Sequence, residues 1–269
     1  MRRKSPLAPF ARMLLAAVVL PTVVHAQTIG DMPYINAVGA WHDTHLPRHR
    51  DEAAPAAEEV PAPDPGRRGL EVFAFSPDPG VRRDVNRKLA AAFAGEAAAW
   101  PDALQPLAAG PLSDGDFLTL LARPLGRGRD EMLDTLESGV LQREYARVLA
   151  DAGYSPHNMG DVHAAFLIYA WAIVHGHDRP VPQGAYDAVR ATLARGVQAR
   201  GDAIPAMPAA DLQSSAESFA VLTLLAAAAW KESGGEDAAR LRDGLAAVCE
   251  RLGVDVRRVA LTERGFVQR

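Results

Sequence analysis

Two stretches of this chain are apolar almost all the way round a helix, and they constrain its fold more than any other feature. From Asp161 to Val174 the sequence carries Val162, Ala164, Ala165, Phe166, Leu167, Ile168, Tyr169, Ala170, Trp171, Ala172 and Ile173. Ala209 to Lys231 is of the same kind, from Phe219 through Leu225 to Trp230. A helix without a polar face has to be surrounded by protein. Asp161–Val174 is therefore predicted as the central helix of a bundle.

Amphipathic segments supply its partners. Val81, Val85, Leu89, Ala92 and Phe93 recur at helical spacings, in a segment limited by Pro101. Leu112 to Leu121 reads as one short helix closed by Pro124 and Gly126. Asp130 to Ala152 reads as a single long helix, with Met132, Leu136, Tyr145 and Leu149 inward and Gly153 as its stop. Gln183 to Arg200 turns Tyr186, Val189, Leu193 and Val197 to one side, and Ala238 to Leu252 does so with Leu241, Leu245 and Val248. Upstream, residues 71–75 read as a short extended lead-in and Ser76-Pro77 as a cap with a first-turn proline. The tail, Val256 to Arg269, is expected to pack back through Val259, Leu261 and Phe266. No alternation of period two follows Phe75. The pattern predicts an all-α domain over residues 70–269, a compact bundle of about six helices.

Ahead of that domain the chain changes character twice. Arg2, Arg3 and Lys4 precede an apolar run from Met13 to Val24, and Val24-His25-Ala26 places tolerated residues at a cleavage point before Gln27. The run is shorter than the roughly 20 residues a transmembrane helix needs, so residues 1–26 read as a cleaved signal peptide rather than an anchor. No cysteine stands there to take a lipid. Residues 27–69 read as a flexible leader, punctuated by Pro55, Pro61, Pro63 and Pro65 and rich in Ala, Glu and Asp. Met32 to Trp41 is its one apolar stretch, able to dock on the domain. The expected compartment is periplasmic or secreted, and an Ala-rich chain with far more Arg than Lys is compatible with a bacterial source.

Losing residues 1–26 removes four basic side chains and no acidic ones, leaving 25 basic against 33 acidic and a net charge of −8. Nucleic acid is excluded on that balance, since phosphate-backbone binders gather positive charge. The single cysteine, Cys249, lies in an apolar helical pattern and reads as a buried small hydrophobe with no disulfide partner.

Few residues carry a chemical signal. His42, His45 and His49 share a helical spacing suited to Zn²⁺ or Cu²⁺, but Pro47 and the proline-rich surroundings oppose a preformed site. His157, His163, His175 and His177 spread around the central helix. His163 and His175 are 12 residues apart, about 18 Å along a helix, too far to share a metal. Asp161 opens the most apolar helix one turn after Asn158; a cap, a salt bridge and a catalytic carboxylate all remain open for it. Glu217 raises the same question on the second apolar helix, where Arg82 or Arg83 can supply the cation that a buried carboxylate needs. Asp161 and Glu217 also form a conceivable acid–base pair across two helices. Gly126-Arg127-Gly128-Arg129 reads as a flexible basic turn, and Ser214-Ser215 as a cap ahead of Ala216. The nucleophile elbow, zinc-protease, redox, P-loop and dinucleotide motifs are all absent.

One resemblance rests on particular residues: Phe75-Ser76-Pro77 with Arg82 and Asn86, Asn158 to Ala165 with Tyr169-Ala170-Trp171, and Leu261 to Phe266. Over about residues 70–269 these resemble a family of uncharacterised exported bacterial proteins, a domain of unknown function. The resemblance makes Asn158, Asp161 and Trp171 the family-like positions and implies export, with no transferable activity. The leading expectation is a non-catalytic binding or structural domain whose partner is a small molecule or an envelope protein, with no transmembrane anchor after signal cleavage. A small hydrolase centred on Asp161, with Glu217 and His163 as further candidates, is one alternative. Metal handling by the leader histidines is the other; no cofactor is otherwise expected.

Overall fold

A computed structural model of the chain describes residues 70–126, 128–177, 181–200 and 207–269. The expected signal peptide, the leader with its Met32–Trp41 stretch, and His42, His45 and His49 lie outside the described residues. Helix α1, Pro79–Phe93, starts where the Asp78 carboxylate accepts the Gly80 amide at 2.6 Å and Pro79 takes the first turn. Its end is packed by Phe93 edge-on against Trp100, ring centroids 5.2 Å apart. Helix α2, Gln105–Ala108, is a single turn. Helix α3, Gly115–Ala122, is capped by Asp114. Then come α4, Arg129–Glu137, and α5, Val140–Asp151. Helix α6 is Met159–Val174, α7 is Gln183–Arg200, α8 is Ala209–Glu232 and α9 is Gly235–Arg251. The described chain ends in an antiparallel hairpin of β1, Val259–Thr262, and β2, Gly265–Gln268. The fold is mostly helical.

Helices α6 and α8 form the centre together. All of α6 from Met159 to Trp171 is buried, as is all of α8 from Leu212 to Ala229 except Ser214. Each fully buried Leu, Phe or Ile contributes roughly 1.5–3 kcal/mol of transfer free energy. By length and composition α8 is apolar enough to cross a membrane, yet 94% of its apolar window is buried against the other helices. Two of its polar side chains are satisfied within the helix: Ser218 Oγ donates to Ser214 O at 2.7 Å, and Thr223 Oγ1 to Phe219 O at 2.6 Å. Helices α1, α3, α5 and α9 pack around this pair, and α7 packs on α6 and carries the hairpin.

Five local expectations are corrected. The single helix predicted over Asp130–Ala152 is two, α4 and α5, because Gly139 takes a left-handed conformation, φ 70°, between them. That break and the short α2 raise the number of α-helices among the described residues to nine, against about six expected. The cap of α1 is Asp78, not Ser76, since Pro79 rather than Pro77 occupies the first turn. Ser214 and Ser215 lie inside α8, which already starts at Ala209. Residues 71–75 are not a strand: Glu71–Phe73 is a turn of 3₁₀ helix, and only Ala74 pairs, with Asn158.

The tail also departs from an all-helical reading. In the hairpin, Leu261 faces Phe266 and Thr262 faces Gly265. Gly265 is required at that turn. Its φ is 84°, and a Cβ there would meet the backbone of Ala188 on α7 at 3.3 Å. Strands of four residues are too short to show alternation.

Candidate functional site

The start of α6 is built from side chains that tie other segments to it. Asn158 caps the helix, its Oδ1 accepting the amides of Gly160 at 2.9 Å and Asp161 at 3.2 Å, while its Nδ2 donates to Leu70 O at 2.8 Å. One amide thus closes the helix and clamps the incoming strap, whose Leu70 and Phe73 are buried. Asp161, freed from capping, turns its carboxylate inward. Oδ1 accepts Arg190 Nε of α7 at 2.9 Å, and Oδ2 accepts the Ser155 amide at 2.8 Å. Arg190 Nη2 also reaches Gly153 O, and its guanidinium lies 4.1 Å from the centre of the Tyr154 ring. Tyr154 in turn donates its hydroxyl to Tyr186 O at 2.7 Å, and burial holds that hydroxyl's pKa well above its ordinary value.

Both charges are almost wholly removed from water, at 3% and 4% side-chain exposure. Deleting one partner of such a pair costs about 3–5 kcal/mol, because the survivor is left buried and uncompensated. The arrangement locks the 153–155 turn, α6 and α7 together.

Glu217 lies elsewhere, and the two carboxylates belong to separate ion pairs. Its oxygens accept Arg82 Nε of α1 at 3.1 and 3.2 Å, while Gln213 Nε2 donates to Oε1 at 2.8 Å. Arg82, rather than Arg83, supplies the cation. Gln213 also grips the start of α1, accepting Asp78 N at 2.7 Å and donating to Asp78 O at 2.8 Å.

Beside this pair opens a cleft of about 220 Å³ between α1, α5, α8 and the loop ahead of α6. Its buried lining is Phe75, Tyr145, Ala216, Ala220 and Glu217. Arg143 and His157 line it from the exposed side, and Arg82, Gln142, Ala146 and Pro156 stand between. Asp161 does not line it.

Gln142 carries an unmet need there. Asn86 Nδ2 donates to Leu136 O at 3.1 Å, so Asn86 Oδ1 faces Gln142 and takes its Nε2–H at 3.2 Å. That chain fixes the amide orientation. Gln142 Oε1 is left buried without a hydrogen-bond partner.

The described histidines do not converge. His157 stacks edge-on to Phe75 at 6.0 Å. His163 is buried, edge-on to Phe219 at 4.3 Å, with Nε2 at 3.5 Å from Ser215 Oγ. Burial pulls its pKa down to about 4, so the ring is neutral. His175 Nε2 donates to Val256 O at 2.9 Å, and His175 and His177 flank Trp171 at 5.0 and 5.2 Å. Trp171 Nε1 donates to Val259 O at 3.0 Å, anchoring β1 to α6. Cys249 is fully buried, and burial pushes its thiol pKa far up. Among the described residues no three His, Cys, Asp or Glu side chains gather as a metal site.

Against this geometry stands one match. The pattern of a family of unknown function, DUF6683, covers residues 99–269. The chain belongs to that family. Neither a curated protein nor a solved structure matches it. The family region starts after α1, so Phe75 and Arg82 of the cleft precede it, whereas Gln142, Arg143, His157 and Glu217 fall within it.

Several of these residues carried no expectation. Arg190 had a signal: it follows Tyr186 by four residues and so falls on the apolar face of α7, where a charge needs a partner. Gln142 and Arg143 had none, since the cleft arises only when α5 meets α1 and α8. The Ser215–His163 contact spans 52 residues and is equally invisible to spacing.

Proposed function

We propose that this is a periplasmic or secreted, non-catalytic binding domain whose ligand site is the cleft between α1, α5 and α8. The observation that carries the reading is the cleft itself, with its buried apolar lining and its polar mouth. Such a combination is the usual composition of a small-molecule site. The acid within it, Glu217, is engaged by Arg82 and Gln213. Tyr145 donates its hydroxyl to Val162 O at 3.3 Å. These groups are set to shape and orient a guest.

A hydrolase centred on Asp161 calls for that carboxylate to line a concave pocket beside a second ionisable group. The second group is there, as Arg190, but the pair is enclosed, and the carboxylate also accepts the Ser155 amide. Support for export comes from Arg2, Arg3 and Lys4, the apolar run and the Val24-His25-Ala26 site.

A fragment library titrated against the isotopically labelled protein tests the reading. Amide shifts are expected to gather on Phe75, Ala146 and Ala220, with the fragments recovered chemically unchanged. Shifts scattered over the surface, or turnover that disappears in Asp161→Asn, contradict it.

A further inference from the structure

We infer that the cleft selects a small organic carboxylate with a flat apolar body; the inference rests on the cleft being the ligand site. Size comes first. About 220 Å³ falls below the roughly 300–1,000 Å³ of drug-sized sites, which restricts the guest to something like a single substituted ring. Shape comes second. Ala146, Ala216 and Ala220 place methyl groups where larger side chains would fill the space, and Phe75 and Tyr145 add aromatic surface.

Charge decides the polar end. Arg82 and Glu217 neutralise one another at 3.1 Å, which leaves Arg143 as the uncompensated ion among the lining residues. Arg143 Nη1 donates to Ser138 O at 3.2 Å, holding the side chain back along α5. A guanidinium has five N–H donors, so one such bond leaves others for an anion. The His157 ring supplies a further donor on the same exposed side. A carboxylate between Arg143 and His157 directs its apolar body over the alanines.

The test uses the full chain with three probes of one shape: benzoate, benzamide and benzylamine. Amide shifts of Phe75, Ala146 and Ala220 report occupancy, and two variants accompany the native protein. Arg143→Glu reverses a surface charge, and Ala146→Leu fills the cleft from a half-buried position. Benzoate is expected to bind saturably and at least tenfold more tightly than benzylamine, with benzamide between. Either variant is expected to weaken benzoate at least tenfold. Equal binding of the three probes, or benzoate binding unchanged in Arg143→Glu, overturns carboxylate selection and leaves the cleft as a ligand site. Absence of shifts at the cleft with every probe overturns both readings.

Discussion

Asp161 and Arg190 show how a buried charge is stabilised in this molecule and what its loss brings. The carboxylate accepts from a guanidinium and from a backbone amide, while the guanidinium also reaches a carbonyl and an aromatic face. Asp161→Ala strands Arg190 and is expected to lower unfolding stability by about 3–5 kcal/mol in urea titrations. Asp161→Leu combined with Arg190→Met removes both charges and is expected to recover a substantial part of that loss. A single Ala variant as stable as the native protein contradicts the lock. His163 makes a pH-dependent contribution. Its folded pKa of about 4 lies below the ordinary 6.5, so the unfolded chain binds the proton more readily between those values. Stability is full above pH 6.5, falls as pH drops from 6.5 toward 4, and loses on the order of 3 kcal/mol once below both. His163→Leu is expected to flatten that part of the pH–stability curve; an unchanged slope argues against a neutral buried ring.

At the scale of elements, close approach sets the helix packing. On α9, Gly244 has no Cβ, and an added one would overlap the buried Phe117 ring of α3. Gly244→Ala gains about 1 kcal/mol of helix propensity but forces an overpacked core costing roughly 1–3 kcal/mol, so a lower Tm is expected. In α7, Gly184→Ala is the control, since its Cβ would meet only Glu263 at an ordinary 3.7 Å. Its Tm is expected to hold or rise, and identical behaviour of the two variants contradicts the packing. Length made the two apolar helices legible, because sixteen and twenty-four residues are too many for a buried strand. The α4–α5 break was not, since Gly139 interrupts an otherwise continuous apolar series by its backbone conformation alone. The hairpin was hidden for another reason: four-residue strands carry too few positions to display a period.

Across the whole molecule, α6 acts as the member to which the rest is tied. Asn158 holds the strap, Asp161 holds α7 and the 153–155 turn, and Trp171 holds the hairpin. The sequence marked these three as family-like positions but not what they bind, because Leu70, Arg190 and Val259 lie between 29 and 88 residues away. Glu217's need for a cation was legible from a carboxylate on an apolar helix; the choice of Arg82 over Arg83, and the cleft beside it, required the helices in place. The family-matched region alone, residues 99–269, lacks α1 and the strap. A chain cut to that region uncovers the faces of α4 and α8 that α1 packs against. It is expected to lose its cooperative thermal transition and near-ultraviolet circular dichroism, and a cooperative melt within a few degrees of the native one contradicts this.

We propose that the molecule divides its work between a buried lock at Asp161 and a ligand-binding cleft outside it. That division is tested most directly by titrating benzoate into Asp161→Asn/Arg190→Gln, which keeps hydrogen-bonding groups but removes both charges, well below its melting temperature. A lowered Tm is expected, with benzoate affinity within about twofold of native, since neither Asp161 nor Arg190 lines the cleft. A variant with native Tm that no longer binds at the cleft contradicts it.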